Sequence, residues 1–370
     1  MALGELSGFV VGVTADRRAD EQIAMLQRRG AAVVHGQVIR THPFAVDGPL
    51  AAALHRLVRR PPEITVLSTG IGVRGIVEAA ECLGLAEPLV DALAGSRVYA
   101  RGPKAHGAAV TVGIPVHWQT ASGLSPEIVA QLRTIDGGLA GRRVAVQLDG
   151  AEAQPLARAL EELGAEVVAI PVYRWSLPGD TAPALRLVQA VAERRIDALT
   201  FTARPQVECL SEIAEGAGLL EPLRRGFARG VIAACVGPVC AGAAIDAGFG
   251  QPIVPVRSRL GSMVAQLAEV LAQRSMAFVL GGEAVLLRGR VFEVPGARVE
   301  LSERERDLLA ALAHRPGVVL SKGELLAAAW PQEGADEHAV EVAVARLRRR
   351  LGPRGHLLET VLRRGYRLAA

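Results

Sequence analysis

The stretch AVEVAVARLRRRLG, residues 339–352, has the 3.6-residue periodicity of an amphipathic helix. At 100° per residue its aliphatic side chains fall on one narrow face, which we expect to pack in a core: Val340, Ala343, Val344, Leu347 and Leu351. Arg346 and Arg349 fall on the opposite side with the small residues Val342 and Ala345. Such a face differs from the Glu and Lys mixture of an ordinary solvated helix. It permits bidentate pairing with guanine or phosphate and apolar contact with thymine methyl groups.

Charge elsewhere in the chain decides between a polyanion-binding helix and a solvated or protein-docking one. Residues 1–273 hold 26 basic and 26 acidic residues, whereas residues 274–370 hold 16 basic and 12 acidic residues. The whole net charge of +4 therefore lies in the last quarter of the chain. Between positions 346 and 367 eight arginines face a single acid, Glu359. This asymmetry is typical of a neutral domain followed by one that binds a polyanion.

The neighbouring segments predict a small domain over about residues 278–370. Residues 278–301 read as short strands with Gly turns, and we expect an antiparallel sheet there. Two capping-box patterns then precede apolar runs, Ser302 with Glu305 and Ser321 with Glu324. A third helix is predicted from Asp336, followed by a hairpin whose turn carries paired arginines suited to a narrow minor groove.

In this order LSERERDLLAALAHRPGVVLSKGELLAAAW, AVEVAVARLRRRLG and ETVLRRGYRL resemble the winged helix-turn-helix effector domain of OmpR/PhoB-type response regulators. The resemblance implies a recognition helix at 337–351 in the major groove, a wing at 359–368, and a loop at 331–337 that can face RNA polymerase. It also implies pairing of two copies on double-stranded DNA. Leu362 and Arg363 stand where the family usually carries an Arg-Gly pair, so wing contacts are expected to differ. The predicted DNA-binding residues are Val342, Ala345, Arg346, Arg348, Arg349, Arg350, Arg363, Arg364 and Arg367, with Arg348 and Arg350 on phosphates.

The first 270 residues predict an α/β fold with parallel sheets. Short apolar runs alternate with helical stretches at 9–16, 64–70, 97–102, 142–150, 166–175, 197–204 and 230–237. An internal repeat relates a strand that ends in Thr69 to one that ends in Thr202. About 34 residues later each copy opens a helix with Gly-Pro. We expect two lobes, with the chain crossing near 38–44 and returning near 169–175, and ligand sites past the strand ends.

Two readings compete for the ligand of these lobes. Gly70, Gly72 and Gly75 form G-x-G-x-x-G between a strand and a helix, the context of a dinucleotide site, with Arg101 suited to a 2′-phosphate. The repeated counterpart, TARPQV, has no glycines, which argues against that reading. A phosphorylated receiver domain is also not indicated, because VGVTADRR offers only Asp16 and VLSTGIG offers no acid.

The second reading is a resemblance to uroporphyrinogen-III synthase over about residues 8–270, carried by the repeat, the Gly-Pro helix starts and LARALEELGAEVVAIPVYRW. It implies lobe one from about 8–40 and 171–270, lobe two from about 41–170, and a tetrapyrrole between them. The family is a lyase that closes hydroxymethylbilane with inversion of ring D and requires no cofactor. Tyr173 matches the acid proposed for the leaving hydroxyl, or it is a hinge tyrosine satisfied locally. The residues implied for ligand binding are Ser68, Thr69, Arg101, Gly102, Thr202 and Gly237.

Two departures favour a binding cleft kept for sensing. Thr202-Ala203 stands where the family tends to have Thr-Ser, and Asp149 and Glu152 would repel a polycarboxylate. The two-domain order resembles actinobacterial regulators of nitrate and nitrite assimilation, which predicts a transcription factor. A bifunctional active synthase is the alternative, and a nicotinamide enzyme is a third reading.

The remaining composition predicts a cytoplasmic protein without a membrane span or a metal site. The longest run free of both charged residues and histidine, Gly230 to Ile245, is shorter than the ~20 residues that a span needs. The four cysteines, at 82, 209, 235 and 240, lack metal-binding spacing and are expected to be buried or half-buried thiols.

Overall fold

A computed structural model describes residues 4–46, 48–150, 154–331 and 335–369. The chain begins in lobe one and leaves it through a ribbon strand. These first elements are β1 (Val10–Val13), α1 (Ala19–Arg28), β2 (Ala32–His35) and β3 (Arg40–Pro43).

Lobe two follows as one continuous segment. Its elements are α2 (Pro49–Arg59), β4 (Ile64–Leu67), α3 (Gly70–Cys82), α4 (Ala86–Ala94), β5 (Arg97–Ala100), α5 (Pro103–Thr111), β6 (Trp118–Gln119), α6 (Ser125–Arg133), β7 (Arg143–Gln147), α7 (Pro155–Glu162) and β8 (Glu166–Ile170). The strands form a parallel five-stranded sheet in the order β6-β5-β4-β7-β8. Central strands such as β4 are buried throughout because helices cover both faces of the sheet.

The chain then returns to complete lobe one. The returning elements are β9 (Tyr173–Ser176), α8 (Ala182–Ala192), β10 (Ala198–Phe201), α9 (Arg204–Gly216), α10 (Leu220–Ala228), β11 (Ile232–Cys235), α11 (Pro238–Asp246) and α12 (Leu260–Gln273). Lobe one has a parallel sheet in the order β11-β10-β1-β2, with separate apolar clusters on its two faces. In this arrangement β10 with α9 corresponds to β4 with α3, so the predicted repeat is confirmed as a structural one.

Two features of the lobes were not apparent from the apolar runs. The predicted single strand at 166–175 is in fact two strands, because Pro171 interrupts it and cannot donate a hydrogen bond to a neighbouring strand. The second half, β9, pairs with β3 as an antiparallel ribbon between the lobes, at the predicted crossing. Strand β2 was missed because it lies at the sheet edge and is half-exposed, so it lacks a continuous buried run.

The C-terminal domain begins with the predicted antiparallel sheet, β12 (Met276–Leu280), β13 (Glu283–Arg288), β14 (Val291–Val294) and β15 (Ala297–Glu300). It continues with α13 (Glu303–Ala313), α14 (Lys322–Ala329), α15 (Glu337–Leu351), a 3-10 turn (Gly352–Leu357), β16 (Leu358–Val361) and β17 (Gly365–Leu368). Both capping boxes are present, at Ser302 with Glu305 and at Ser321 with Glu324. Helices, sheet and hairpin share one core, as expected of a winged helix-turn-helix.

The two halves of the chain contact each other. Only two residues separate α12 from β12, and the domains meet through ion pairs from Arg194 and Arg229 to Glu303. Three cysteines, Cys209, Cys235 and Cys240, are buried as expected, whereas Cys82 at the end of α3 is exposed and corrects the prediction.

Candidate nucleic-acid interface and interlobe cleft

Helix α15 is built as the sequence predicts. The Asp336 side chain caps its first turn, where Oδ1 accepts a hydrogen bond from Ala339 N at 3.1 Å. The buried residues of the helix are those of the predicted apolar face: Val340, Ala343, Val344, Leu347 and Leu351. Because this face packs in the domain core, the opposite face must point away from it.

That outer face is accessible. Val342 is 37% exposed, and Ala345, Arg346, Arg349 and Arg350 are exposed as well. The side chains of the three arginines make no hydrogen bond or ion pair to another residue that the structure describes. Three guanidinium groups thus remain available to an external acceptor, beside the small apolar side chains of Val342 and Ala345.

Arg348 is placed differently from the other arginines. Its Nε donates to the carbonyl of Leu358 at 2.8 Å, and its Nη2 donates to Thr360 Oγ1 at 2.7 Å. The guanidinium also lies 5.8 Å from the centre of the Tyr366 ring. A phosphate-gripping role was predicted for Arg348, and two of its three nitrogens are instead engaged in holding the wing against α15. The assignment of Arg350 to phosphate stays a prediction.

The wing is the hairpin of β16 and β17. Leu362 at its tip is 82% exposed, followed by Arg363 in the left-handed region with a φ of 62° and by exposed Arg364. Arg367 was predicted to contact DNA, but its Nε pairs with Glu359 at 2.6 Å, so part of its charge is locally balanced. The tip therefore presents one apolar and two basic side chains.

An open groove of about 720 Å³ joins the end of α15 to the wing. Its polar lining residues are Arg348, Arg349, His356, Thr360 and Glu359, the last paired with Arg367. A groove with basic and hydroxyl side chains on its walls suits a sugar-phosphate strand, since such groups make most protein–DNA backbone contacts.

Lys322 is a positioning residue that the sequence reading missed. It lies in the first turn of α14, and its Nζ bonds Glu341 Oε1 at 2.6 Å and Glu337 Oε2 at 3.3 Å on α15. This pairing joins the first turn of α14 to the first two turns of α15. The sequence offered one indication of this role: Lys322 is one of only two lysines in the chain, and the next predicted helix begins with acidic residues.

In the interlobe region Tyr173 is buried and joins β9 to lobe two. Its hydroxyl lies 3.2 Å from Thr69 Oγ1, and the Thr69 hydroxyl also accepts from Gly72 N to cap α3. Burial raises the pKa of Tyr173, although the Thr69 bond opposes this shift. The hydroxyl is therefore protonated at neutral pH and can serve as a proton donor, but a partner within the protein already satisfies it.

Three of the residues predicted to bind carboxylates, Ser68, Thr69 and Thr202, donate their backbone N–H groups to acceptors within the protein. Gln147 Oε1 accepts from Ser68 N at 3.0 Å and from Thr69 N at 2.7 Å. In lobe one Gln206 Oε1 accepts from Thr202 N at 2.6 Å. The sequence reading missed both glutamines. They close equivalent loops of the two lobes from different positions, since Gln147 ends β7 and Gln206 lies in α9.

Arg101 is also engaged. Its Nη1 pairs with Asp149 Oδ2 at 2.6 Å, and both side chains are mostly buried. Asp149 was expected to repel a carboxylate ligand; here it balances the charge of Arg101 instead. Glu152, the other acid of that loop, lies outside the described residues.

The predicted helix starts at Gly102 and Gly237 are found, with Pro103 and Pro238 in the first turns of α5 and α11. Lys104, next in α5, reaches across the cleft to the carbonyl of Thr202 at 3.4 Å. Desolvation between the lobes lowers the pKa of Lys104. Of the described residues, Lys104 thus supplies a direct polar link between the two strand-end regions.

The G-x-G-x-x-G stretch is a packing motif in this fold. A β-carbon at Gly70 would overlap the carbonyl of Lys104, and one at Gly72 would overlap the side chain of Gln147. A β-carbon at Gly75 would lie 2.5 Å from Val172 Cγ1. Close packing within the protein therefore accounts for all three glycines, and the nicotinamide reading gains no support from them.

Neither a metal centre nor a membrane span is found in the parts of the chain that the structure describes. No group of three potential metal-binding His, Cys, Asp or Glu side chains occurs in 4–46, 48–150, 154–331 or 335–369. In the same ranges no helix is long and apolar enough to cross a bilayer.

Comparison with known proteins agrees with this architecture. Residues 20–265 match the family of uroporphyrinogen-III synthase HemD, and residues 296–368 match the C-terminal domain of transcriptional regulatory proteins. A methionine-substituted uroporphyrinogen III synthase of the extremely thermophilic bacterium Thermus thermophilus is 31% identical, with a TM-score of 0.58; the match covers 72% of this chain and all of that one. The YjjA protein of Bacillus subtilis is 27% identical over 269 residues, 73% of this chain and 98% of its own length.

The C-terminal domain has a separate set of relatives. The transcriptional regulatory protein PrrA of Mycobacterium tuberculosis is 34% identical over 119 residues, which are 29% of this chain and 50% of PrrA. The similarity thus spans half of that protein. The chain belongs to the uroporphyrinogen-III synthase family and carries, after that domain, a DNA-binding domain of the OmpR/PhoB type.

Proposed function

We propose that this protein is a transcriptional regulator that binds promoter DNA through α15 and the wing, with the synthase-like lobes as its ligand sensor. In this proposal Arg346 and Arg349 read base edges in the major groove, with Val342 and Ala345 against thymine methyl groups. Arg350 contacts phosphate, and Arg363 and Arg364 enter the minor groove. Arg348 keeps the wing in position.

The observation that carries the proposal is the outer face of α15. Three of its arginines are exposed and have no partner among the described residues, while the rest of the helix is fixed in a core. Three cations held close together on a rigid element create a positive potential that attracts a polyanion. The groove between α15 and the wing continues this basic surface.

Two further features belong to the proposal. A pair of chains binds repeated half-sites, as DNA-binding domains of this class commonly require two copies. The 331–337 loop contacts RNA polymerase; residues 332–334 lie outside the described ranges.

For the sensor we propose a tetrapyrrole as ligand and a role in nitrate and nitrite assimilation. Membership of the synthase family supports a tetrapyrrole, and siroheme, which derives from the same route, serves nitrite reductase. A ligand carboxylate must displace Gln147 or Asp149 to reach Ser68, Thr69 or Arg101, so binding would rearrange the cleft, as a sensor requires.

The alternative function is an active synthase that also binds DNA. One observation favours it: the protonated Tyr173 hydroxyl lies in the interlobe region, where an acid for the departing hydroxyl is needed. Purified protein supplied with hydroxymethylbilane would then form the type III isomer, and Tyr173→Phe would slow this reaction. We expect only the type I isomer, which forms spontaneously.

The DNA-binding proposal is tested with the double variant Arg346→Ala with Arg349→Ala. A bidentate arginine contact is worth about 1–3 kcal/mol. The double variant should therefore weaken binding to a duplex selected on the wild-type chain at least thirtyfold.

The matched control is Arg56→Ala with Arg59→Ala. These arginines have the same i, i+3 spacing, are exposed on α2 and lie in lobe two. The control should bind within twofold of wild type in fluorescence anisotropy. Equal affinities for the two double variants would refute the assignment of α15.

A further inference from the structure

A buried ionic junction fixes the DNA-binding domain to lobe one. Arg194 Nη1 bonds Glu303 Oε1 at 2.8 Å and Asp307 Oδ2 at 3.0 Å, and Arg229 Nη2 bonds Glu303 Oε1 at 2.7 Å. The four side chains are only 11–18% exposed. Burial disfavours the charge of Arg194, but Asp307 and Glu303 more than offset this, so that its pKa is raised.

The same junction has a second, backbone-level contact. Gly289, in the turn between β13 and β14, has a φ of 53° and lies so close to lobe one that a β-carbon would stand 2.8 Å from the carbonyl of Gly8. That β-carbon would also stand 3.1 Å from the carboxylate of Asp197. Arg290 in the same turn lies near Asp197, which accepts a hydrogen bond from Val10 N at 2.8 Å.

Two separate contacts fix the orientation of the DNA-binding domain relative to lobe one, whereas a single contact would let the domain rotate about it. The first uses the start of α13 and the second uses the β13–β14 turn, and the domain core joins these elements. Residues 274 and 275 are the whole connection between α12 and β12, which leaves little slack. The domain is therefore held in position as well as in proximity.

The junction lies at the end of the lobe-one sheet that is opposite to the cleft. Strand β10 begins after Asp197, at the junction, and ends before Thr202, where Lys104 of lobe two reaches it. Strand β1 likewise runs from near Gly8 toward Thr14. Because the strands are parallel and buried in a common sheet, the two ends cannot move independently.

The junction leaves the recognition surface uncovered. It uses α13 and the β13–β14 turn, while the outer face of α15 and the wing tip are exposed in the same structure. Docking of this kind does not mask Arg346 or Arg349.

We propose that lobe one and the DNA-binding domain move as one rigid body that is competent for DNA without ligand, and that lobe two is the part that a ligand repositions. This inference rests on the proposed regulatory function. The ribbon of β3 and β9, which links the lobes, is then the site of the motion, and the output is a new position of lobe two beside bound DNA.

The rigid junction is tested by trypsin cleavage after Arg274 in the full chain. Arg274 lies at the connection, where its Nη1 donates to the carbonyl of Gly230 at 2.5 Å. Removing Arg194 leaves Glu303 and Asp307 short of a partner in a buried site, so Arg194→Ala should raise the cleavage rate at least tenfold.

The matched control is Arg195→Ala, the next residue, which is 49% exposed and pairs with Glu193 of its own lobe. It should be cleaved within twofold of wild type. Equal rates for both variants would overturn the rigid junction. If Arg194→Ala folds poorly by circular dichroism, Glu303→Gln alters the same pairs from the other domain and gives the same reading.

Affinity for a selected fluorescent duplex, without ligand, tests the second half of the inference. Arg194→Ala should bind no more tightly than wild type. A tenfold gain would mean that docking is inhibitory and would overturn the inference. If neither protein binds any duplex, the proposed function fails, and the cleavage rates by themselves decide the junction.

Discussion

Arg348 illustrates how a residue of predictable type acquires an unpredicted role. It belongs to the arginine run of α15, yet it bonds the wing at Leu358 and Thr360. We expect Arg348→Ala to lower the free energy of unfolding of the DNA-binding domain by about 1–2 kcal/mol, because a charged donor loses two acceptors in a half-buried site. Arg350→Ala, exposed and without a described partner, should stay within ~0.5 kcal/mol. Thermal unfolding compares them; equal losses would contradict the wing-holding role.

Gly70 gives a second prediction at this scale. A β-carbon there would overlap the carbonyl of Lys104, so Gly70→Ala should destabilise lobe two by about 1–3 kcal/mol. Gly107→Ala in α5 meets nothing within 4 Å and should be neutral or stabilising by up to ~1 kcal/mol. Urea unfolding followed by circular dichroism measures both. A Gly70→Ala protein as stable as the Gly107→Ala protein would show that the glycines are not needed for packing.

The sequence did not predict hydrogen bonds between side chains and residues that are far apart along the chain. The burial of Leu347 and the exposure of Arg346 follow from helical periodicity alone, and both are observed. The bonds of Gln147 to Ser68 and Thr69 span nearly eighty residues, and no local pattern encodes them.

At the scale of elements, local signals located the helices of the DNA-binding domain and both capping boxes. Each depends on residues within a few positions, such as Ser321 with Glu324. The ribbon of β3 and β9 was not predicted as a pair, because its strands lie more than one hundred residues apart and are only partly buried. The lobe crossing was located by the repeat, not by any strand pattern there.

Asp197, the residue before β10, should make the stability of the protein depend on pH. Burial raises the pKa of Asp197 above 3.8, although Val10 N and then Arg306, Arg274 and Arg290 oppose the shift. The native chain thus holds this proton more tightly than the unfolded chain. Its contribution to stability is fully present below pH 3.8 and declines as pH rises through the raised pKa.

Asp197→Asn removes this titration while keeping an acceptor for Val10 N. The free energy of unfolding of the variant, relative to wild type, should therefore increase as pH rises from about 4 to the raised pKa and then level off. Urea titrations at stepped pH measure this difference. A difference that does not change with pH would show that Asp197 titrates normally.

For the whole molecule, composition and motif order predicted a bilobed α/β half and a winged helix, and both are present. The short connection indicated that the halves can touch. The surfaces through which the two domains touch could not be predicted. The charged residues of this contact look like ordinary exposed residues in the sequence, and only the fold brings them together: Arg194, Arg229, Glu303 and Asp307. The same contacts leave α15 free, which is what joins the architecture to the proposed regulatory role.

The central claim is that the arginines of α15 and the wing contact DNA phosphates and bases. The most direct measurement is the affinity of the full chain for a duplex across a salt series. Each neutralised phosphate contributes a slope of about −0.9 to the plot of log K against log salt. We predict a steep negative slope for wild type and a slope shallower by about 1 after Arg350→Ala. Affinity that is independent of salt would contradict the account. So would salt slopes equal to that of wild type in all three variants Arg350→Ala, Arg363→Ala and Arg364→Ala.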